Sequence, residues 1–296
     1  MFTGSEKMFA IDGQHRVEAI KLAYEKDPKR IGEDQYPVIF VAHLDTRDGK
    51  VRTRRLFCDI NKNAVAVSEG DKVVIDEDDL SAIVARRVYA TYPLFKQGSE
   101  IAVTERKEVL VEGGVERFTS LLAIYTVCRK LKRLYRRPRG TLENEPQNVN
   151  AFQQIVFTFF DFIVEHERSL NRYFRKGSTT LRKEREKNQN LFFRPIGLEV
   201  LARLYAHFVR EDRLKTLEYG LDTLQFKNPD GVFDGVLWNR GRVEASAKAK
   251  AAAVGLCLYL MRQLTTKEEA ELTDKLREVR KDPNYSLPEK PPRPPA

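Results

Sequence analysis

The chain is short of the groups that define several familiar protein classes. Its three cysteines, Cys58, Cys128 and Cys257, are odd in number and far apart, which gives neither a disulfide framework nor a zinc-ligand spacing. A reducing, cytoplasmic location is the expectation. No apolar run approaches the roughly 18 residues that a spanning helix needs, so a soluble protein with no membrane partner is expected. Met1 to Lys7 holds no apolar core of signal-peptide length. Neither a Walker-type Gly-x-x-x-x-Gly-Lys-Ser/Thr nor a His-Glu-x-x-His pattern occurs, which removes two ready-made frameworks for nucleotide and zinc hydrolysis. Internal repeats are also missing.

What is present is ordinary for a globular protein: 42% hydrophobic and 32% charged residues, in a chain of 296 that suits two lobes. The charge is less ordinary. A formal net charge of +9 makes a polyanion a natural partner, because lysines and arginines that neutralise phosphates release counterions and gain affinity.

Along the chain, Met8-Phe9-Ala10-Ile11 reads as a short strand. Val17, Ile20, Ala23 and Tyr24 recur at helical spacing until Asp27-Pro28, where proline forbids continuation. The β-branched run Pro37-Val38-Ile39-Phe40-Val41-Ala42, bounded by an Asp48-Gly49 turn signal, predicts a buried strand parallel to the first across the helix. A small βαβ unit is therefore expected. Its first strand lacks neighbours to satisfy its backbone groups, which points to a lobe trimmed at its amino end. Helices are predicted over 51–61 and 80–88, the second entered through the acidic run Asp76-Glu77-Asp78-Asp79. Alternation over 100–111 with Gly113-Gly114 predicts a hairpin. Beyond it, 118–134, 149–164, 195–208 and 245–264 read as helices, with the aromatic stretch from Phe152 to Phe162 assigned to the core. The last nine residues from Pro288 hold five prolines and read as a disordered tail. The predicted architecture is α+β (mixed α/β): a small βαβ lobe at 1–92, a mostly α-helical lobe at 93–287 and a tail at 288–296.

The chemistry concentrates at Asp12-Gly13-Gln14-His15-Arg16. A strand that ends in Asp-Gly and runs straight into a helix offers main-chain N–H groups at the positive end of a helix dipole, a natural phosphate site. Gly13 permits close backbone approach, Arg16 can fork onto phosphate oxygens, and His15 can donate one more bond. Asp12 could hold the turn, or orient a metal or a ribose hydroxyl, and is the candidate catalytic group. The plainer alternative makes Asp12 an N-cap and pairs Arg16 with Glu18 or Glu25 on the surface.

Phe9 to Ala19, with this pentapeptide at its centre, resembles the signature of the DGQHR domain, found in the DndB group of DNA sulfur-modification (phosphorothioation) proteins and in related phage-defence proteins. That domain is similar to the ParB/sulfiredoxin superfamily, whose glycine-x-basic-arginine turn binds nucleotide phosphates; the matching positions here are Gly13, His15 and Arg16. Gln14 stands where sulfiredoxin carries its reactive cysteine, so sulfiredoxin-type repair is not expected. Phe57 to Lys62, Asp76 to Arg87, Arg194-Pro195-Ile196-Gly197, and Trp238-Asn239 with Gly241-Arg242 look like the same group. Members carry further strand-forming sequence before the motif. The resemblance implies a nucleotide such as ATP at Asp12, Gly13, Gln14, His15, Arg16 and Asn61, with DNA and other proteins of a modification or defence operon as partners.

Two basic clusters suit a phosphate backbone. Lys130, Lys132, Arg133, Arg136 and Arg137 form one, and Arg172, Arg175 and Lys176, interleaved with Tyr173 and Phe174, form the other. Arg54 and Arg55 on the helix before Asn61 could add to them. Each also has a structural reading: the first as a solvated helix end, Asn61 as a C-cap and Cys58 as a buried core thiol. The leading function is a DNA-binding regulatory or accessory protein of a DNA-modification or phage-defence system. The alternatives are a magnesium-dependent nucleotide hydrolase, with or without nuclease activity, and a scaffold whose pocket is vestigial.

Overall fold

A computed structural model describes residues 8–11, 13–46, 48–53, 56, 68–96, 98–103, 111–112, 114–187, 189–223, 231–239 and 242–291. Asp12, Arg54, Arg55, Cys58 and Asn61 lie outside these residues. Most of the described chain is helix, with a few two-residue strands. It divides into two compact units, Met1–Ala66 and Val67–Ala296.

In the smaller unit the predicted first helix forms as α1 (Gln14–Lys26), whose cap residue Asp27 starts the short α2 (Pro28–Ile31) by accepting from Arg30 N at 3.2 Å. The two expected strands do not form: among the described residues of this unit no strand is paired. Ile39 is 91% exposed and Phe40 60%, so the run meant for a buried strand is open to solvent. β-branched residues favour a strand only where a partner supplies hydrogen bonds and a packed face. The segments that carry Phe9 and His43 do approach, with ring centroids 5.3 Å apart edge to face, and His43 Nδ1 lies 2.7 Å from Thr53 Oγ1. Asp48 and Gly49 sit inside the helical residues 48–53 (α3), not in a strand-ending turn. There, Thr46 Oγ1 accepts from Gly49 N at 3.1 Å.

The larger unit is a helical assembly. α4 (Glu69–Ile75) precedes α5 (Leu80–Thr91), and the acidic run becomes the cap of α5: Asp76 accepts from the N–H groups of Asp78 and Asp79, and Asp79 accepts from Ser81 N at 2.8 Å. α5, assigned from sequence to the first lobe, packs here against α6 (Leu121–Leu131). Between them β1 (Ile101–Ala102) pairs in parallel with β4 (Thr119–Ser120), while β2 (Val111–Glu112) and β3 (Val115–Glu116) form a hairpin. Of the stretch predicted as a hairpin, Val111 belongs to this one and Ile101 to the parallel pair, while 104–110 and 113 lie outside the described residues.

α6 turns its apolar face onto both α5 and α9 (Pro195–Arg210), and buries Ile124, Val127, Cys128 and Leu131 completely. α7 (Pro146–His166) and α8 (Arg168–Phe174) add an aromatic layer in which Phe95 meets Phe160 at 5.1 Å and Phe118 meets Phe174 at 4.8 Å. Each fully buried phenylalanine contributes about 1.5–3 kcal/mol, so the stretch from Phe152 to Phe162 is core, as its spacing predicted. α9 starts tight against the 3-10 turn Leu191–Phe193: a Cβ on Gly197 would fall 2.0 Å from Leu191 O, so only glycine fits. α10 (Leu214–Thr223), the β5–β6 hairpin (Trp238–Asn239 with Arg242–Val243), α11 (Ala247–Leu260) and α12 (Thr266–Arg280) complete the unit. Cys128 and Cys257 are wholly buried thiols, and burial pushes the pKa of both up.

The start of the tail is held in place. Tyr259 donates to Pro288 O at 3.0 Å, Lys290 lies 4.5 Å from the Tyr259 ring centroid and pairs with Glu269, and Arg262 donates to Pro291 O. Proline content removed internal hydrogen bonding but left carbonyls for these donors, which corrects the reading of the whole tail as disordered.

Candidate functional site

The chain enters α1 through a left-handed glycine. Gly13 has φ +78°, a left-handed conformation that L side chains rarely adopt, and the helix starts at the next residue with no acidic side chain in its first turn. No side chain caps Gly13 as N-cap. The Arg16 guanidinium folds back over the glycine, so that a Cβ there would lie 3.2 Å from Arg16 Nε and Nη2. His15 and Arg16 are exposed, while Gln14 Nε2 donates to Ala10 O at 3.2 Å and braces the turn. Glu18, one suggested partner of Arg16, lies 3.7 Å from Lys21.

The donors present suit phosphate: a glycine that lets oxygen reach the main chain, an exposed guanidinium and an exposed imidazole. Among the described residues no group of three His, Cys, Asp or Glu comes together that could hold a metal ion.

In the larger unit the first basic cluster is split by its partners. Lys132 pairs with Glu143 at 2.7 Å, and Arg136 and Arg137 are exposed beyond Tyr135, whose hydroxyl donates to Asn148 at 2.7 Å. Lys130 turns instead to Glu199 on α9, 3.4 Å away. That carboxylate is 5% exposed and also receives Arg203 Nη2 at 2.9 Å and Lys250 Nζ, from α11, at 3.0 Å. Burial raises the Glu199 pKa, but hydrogen bonds from Lys250 and Arg203, with their charges and that of Lys130, outweigh it and bring the group down to about 2. Arg133 follows on the 3-10 turn Lys132–Leu134. Burial, then the charges of Arg203 and Arg210, hold its pKa below the ordinary arginine value.

The sequence reading missed Glu199, Arg203, Arg210 and Lys250. A signal existed in Glu199-x-x-x-Arg203-x-x-x-His207-x-x-Arg210, charges recurring along one helical stripe. The second basic cluster is less available than its composition suggested. Arg172 reaches Ser169 Oγ at 3.3 Å and faces buried Glu184 at 3.9 Å, and Tyr173 and Phe174 pack into the aromatic layer. Arg175 and Lys176 stay exposed.

The structure also joins two of the later stretches singled out in the sequence: the Arg194 guanidinium lies over the Trp238 ring. Its neighbour Arg185 is buried and donates to the carbonyls of Phe193, Arg117 and Phe118; burial holds it down to about 10.

Compared with known proteins, the chain matches the family model described as DndB, DNA-sulfur modification-associated, over residues 3–264. No curated protein and no solved structure matches it. Among the described residues no helix is long and apolar enough to cross a membrane.

Proposed function

The chain belongs to the DndB family of DNA-sulfur modification-associated proteins, and we propose that it serves such a system as a DNA-binding accessory or regulatory protein that takes the phosphates of a nucleotide at the first turn of α1. The observation that carries this reading is the left-handed Gly13 set directly under the Arg16 guanidinium, at a helix whose first turn carries no acidic side chain. An anion placed there meets the helix dipole and a fixed fork of donors together. Partners from the same modification or defence operon follow from the family context. Nucleotide, if bound, supplies phosphate oxygens as a conformational ligand; Gly13 admits them to the main chain, Arg16 and His15 hold them from the side, and Asp12 is the group to substitute when turnover is sought.

Calorimetric titration of ATP into the protein, with and without magnesium, tests the reading. Wild type should bind, and Arg16→Ala should weaken binding about tenfold or more, since a hydrogen bond to a charged group contributes about 1.5–3 kcal/mol. Equal affinity in the two proteins would refute the assignment. Phosphate release that Asp12→Asn abolishes would convert the ligand into a substrate.

A further inference from the structure

The cations gathered about Glu199 are more numerous than one carboxylate needs. Lys130 from α6, Arg203 from α9 and Lys250 from α11 all contact it, and their side chains are still 28%, 26% and 18% exposed. Arg133 and Arg210 stand beside them with no carboxylate partner among the described residues. Three cations from three helices thus share one buried acid, and two more arginines flank them. Crowding of like charge costs stability, and the cost is visible: burial and then Arg203 hold Lys130 below the ordinary lysine value, as they do Arg133. A fold gains nothing from such a surplus in isolation, whereas a polyanion would relieve it.

Glu199 gives the surplus a fixed geometry. Each ammonium has three donors and spends one on the carboxylate, so Lys130 and Lys250 are held in place with donors to spare. Arg203 and Arg210 are seven positions apart on α9, which sets them about 10 Å apart along the axis at 1.5 Å per residue. Duplex DNA carries one charge per about 1.7 Å of its own axis, so a stripe of this length spans several phosphates.

We infer that Lys130, Arg133, Arg203, Arg210 and Lys250 form a preset surface on the α6–α9–α11 face that grips the phosphate backbone of duplex DNA, with Glu199 as the internal strut that holds Lys130, Arg203 and Lys250 in place. This deepens the DNA-binding half of the function proposed above and rests on it. It assigns the contact to a surface separate in sequence from the α1 turn, and to three residues outside both basic clusters.

The test is a fluorescence-anisotropy titration of a labelled DNA duplex across a series of salt concentrations. Four proteins are compared: wild type, the double variant Arg133→Ala/Arg210→Ala, its charge-keeping counterpart Arg133→Lys/Arg210→Lys, and the charge-matched double variant Lys267→Ala/Lys275→Ala on α12. Neither arginine touches Glu199, so the hub that joins the helices is left intact, and circular dichroism checks the fold. The expected result is that log K against log salt flattens by about two units in the arginine variant, near 0.9 per lost contact. The lysine variant should keep the wild-type slope. Arg133→Lys/Arg210→Lys should restore it, because the slope counts charges. Wild-type binding with the same slope in the arginine variant, or equal flattening in both alanine variants, overturns this surface and leaves DNA binding standing. No wild-type binding at low salt overturns the DNA-binding reading itself.

Discussion

The guanidinium carbon of Arg194 stands 5.2 Å from the ring centroid of Trp238, and this contact ties the start of α9 to the β5–β6 hairpin. Trp238 is the one tryptophan in the chain and is 2% exposed, so its emission reports this junction directly. Arg194→Ala should lower the denaturation midpoint followed by that emission, with a loss of unfolding free energy of about 1–2 kcal/mol for a largely desolvated cation–π pair. An unchanged midpoint would show that the ring packs as well without the cation.

Gly13→Ala tests the turn. A Cβ at φ +78° costs about 1–2 kcal/mol and would press on Arg16 Nε and Nη2 at 3.2 Å. The first hydrogen-bonded amide of α1, that of Val17, which donates to Gly13 O at 2.9 Å, should lose protection in hydrogen exchange by roughly tenfold or more, with ATP affinity falling in step. Equal protection in both proteins would mean that the left-handed turn is not needed to start the helix.

Glu199 should govern acid stability. Its folded pKa, about 2, lies below the ordinary 4.5, so its contribution is complete above about pH 4.5 and is lost as pH falls toward 2. A displacement of that size corresponds to about 3 kcal/mol. Urea melts across this range should show a steep acid loss in wild type. In Glu199→Gln the melts should be weaker at neutral pH and flatter on the acid side. The same acid slope in the variant would place the titrating group elsewhere.

His207 has the opposite character to a salt-bridged histidine. Burial, followed by the charges of Arg133, Arg210 and Arg213, holds it below 6.5 despite Glu211. The unfolded chain therefore takes up its proton first, and stability should decline as pH drops from about 6.5 toward the folded value. An NMR titration should find the imidazole midpoint below 6.5, and His207→Gln should remove that portion of the decline. A midpoint at or above 6.5 would contradict the packing of these cations around it.

Helices were legible in the sequence where an apolar stripe met a clear boundary. Asp27-Pro28 ended α1, and the acidic run became the cap of α5. α12 was missed although Thr265 and Glu268 spell out a capping box, which the structure forms with Glu268 Oε2 accepting from Thr265 N at 2.8 Å. Strands were the weak point: the β-branched run at 37–42 has a strand's composition but pairs with no strand among the described residues, and pairing is a long-range property. The same reason divides the reading of the site. The α1 turn is contiguous and could be read directly, whereas the cluster at Glu199 exists only because α6, α9 and α11 pack together. A linear scan therefore found Lys130 and Arg133 and overlooked Arg203, Arg210 and Lys250. It also counted Lys132 and Arg172 as available without seeing Glu143 and Glu184 opposite them.

Cys128 and Cys257 turn the helical core into its own stopwatch. A disulfide reagent is attacked by thiolate, and these two sulfurs, fully enclosed and resistant to ionisation, can react only during excursions that open the unit. With Cys58 replaced by serine to silence its signal, colour development in excess reagent would time individual openings. At scarce reagent it would weigh the population of the open form instead. Adding duplex DNA should slow both readings if the bound state is the closed one, which gives a label-free gauge of binding from residues that never touch the ligand.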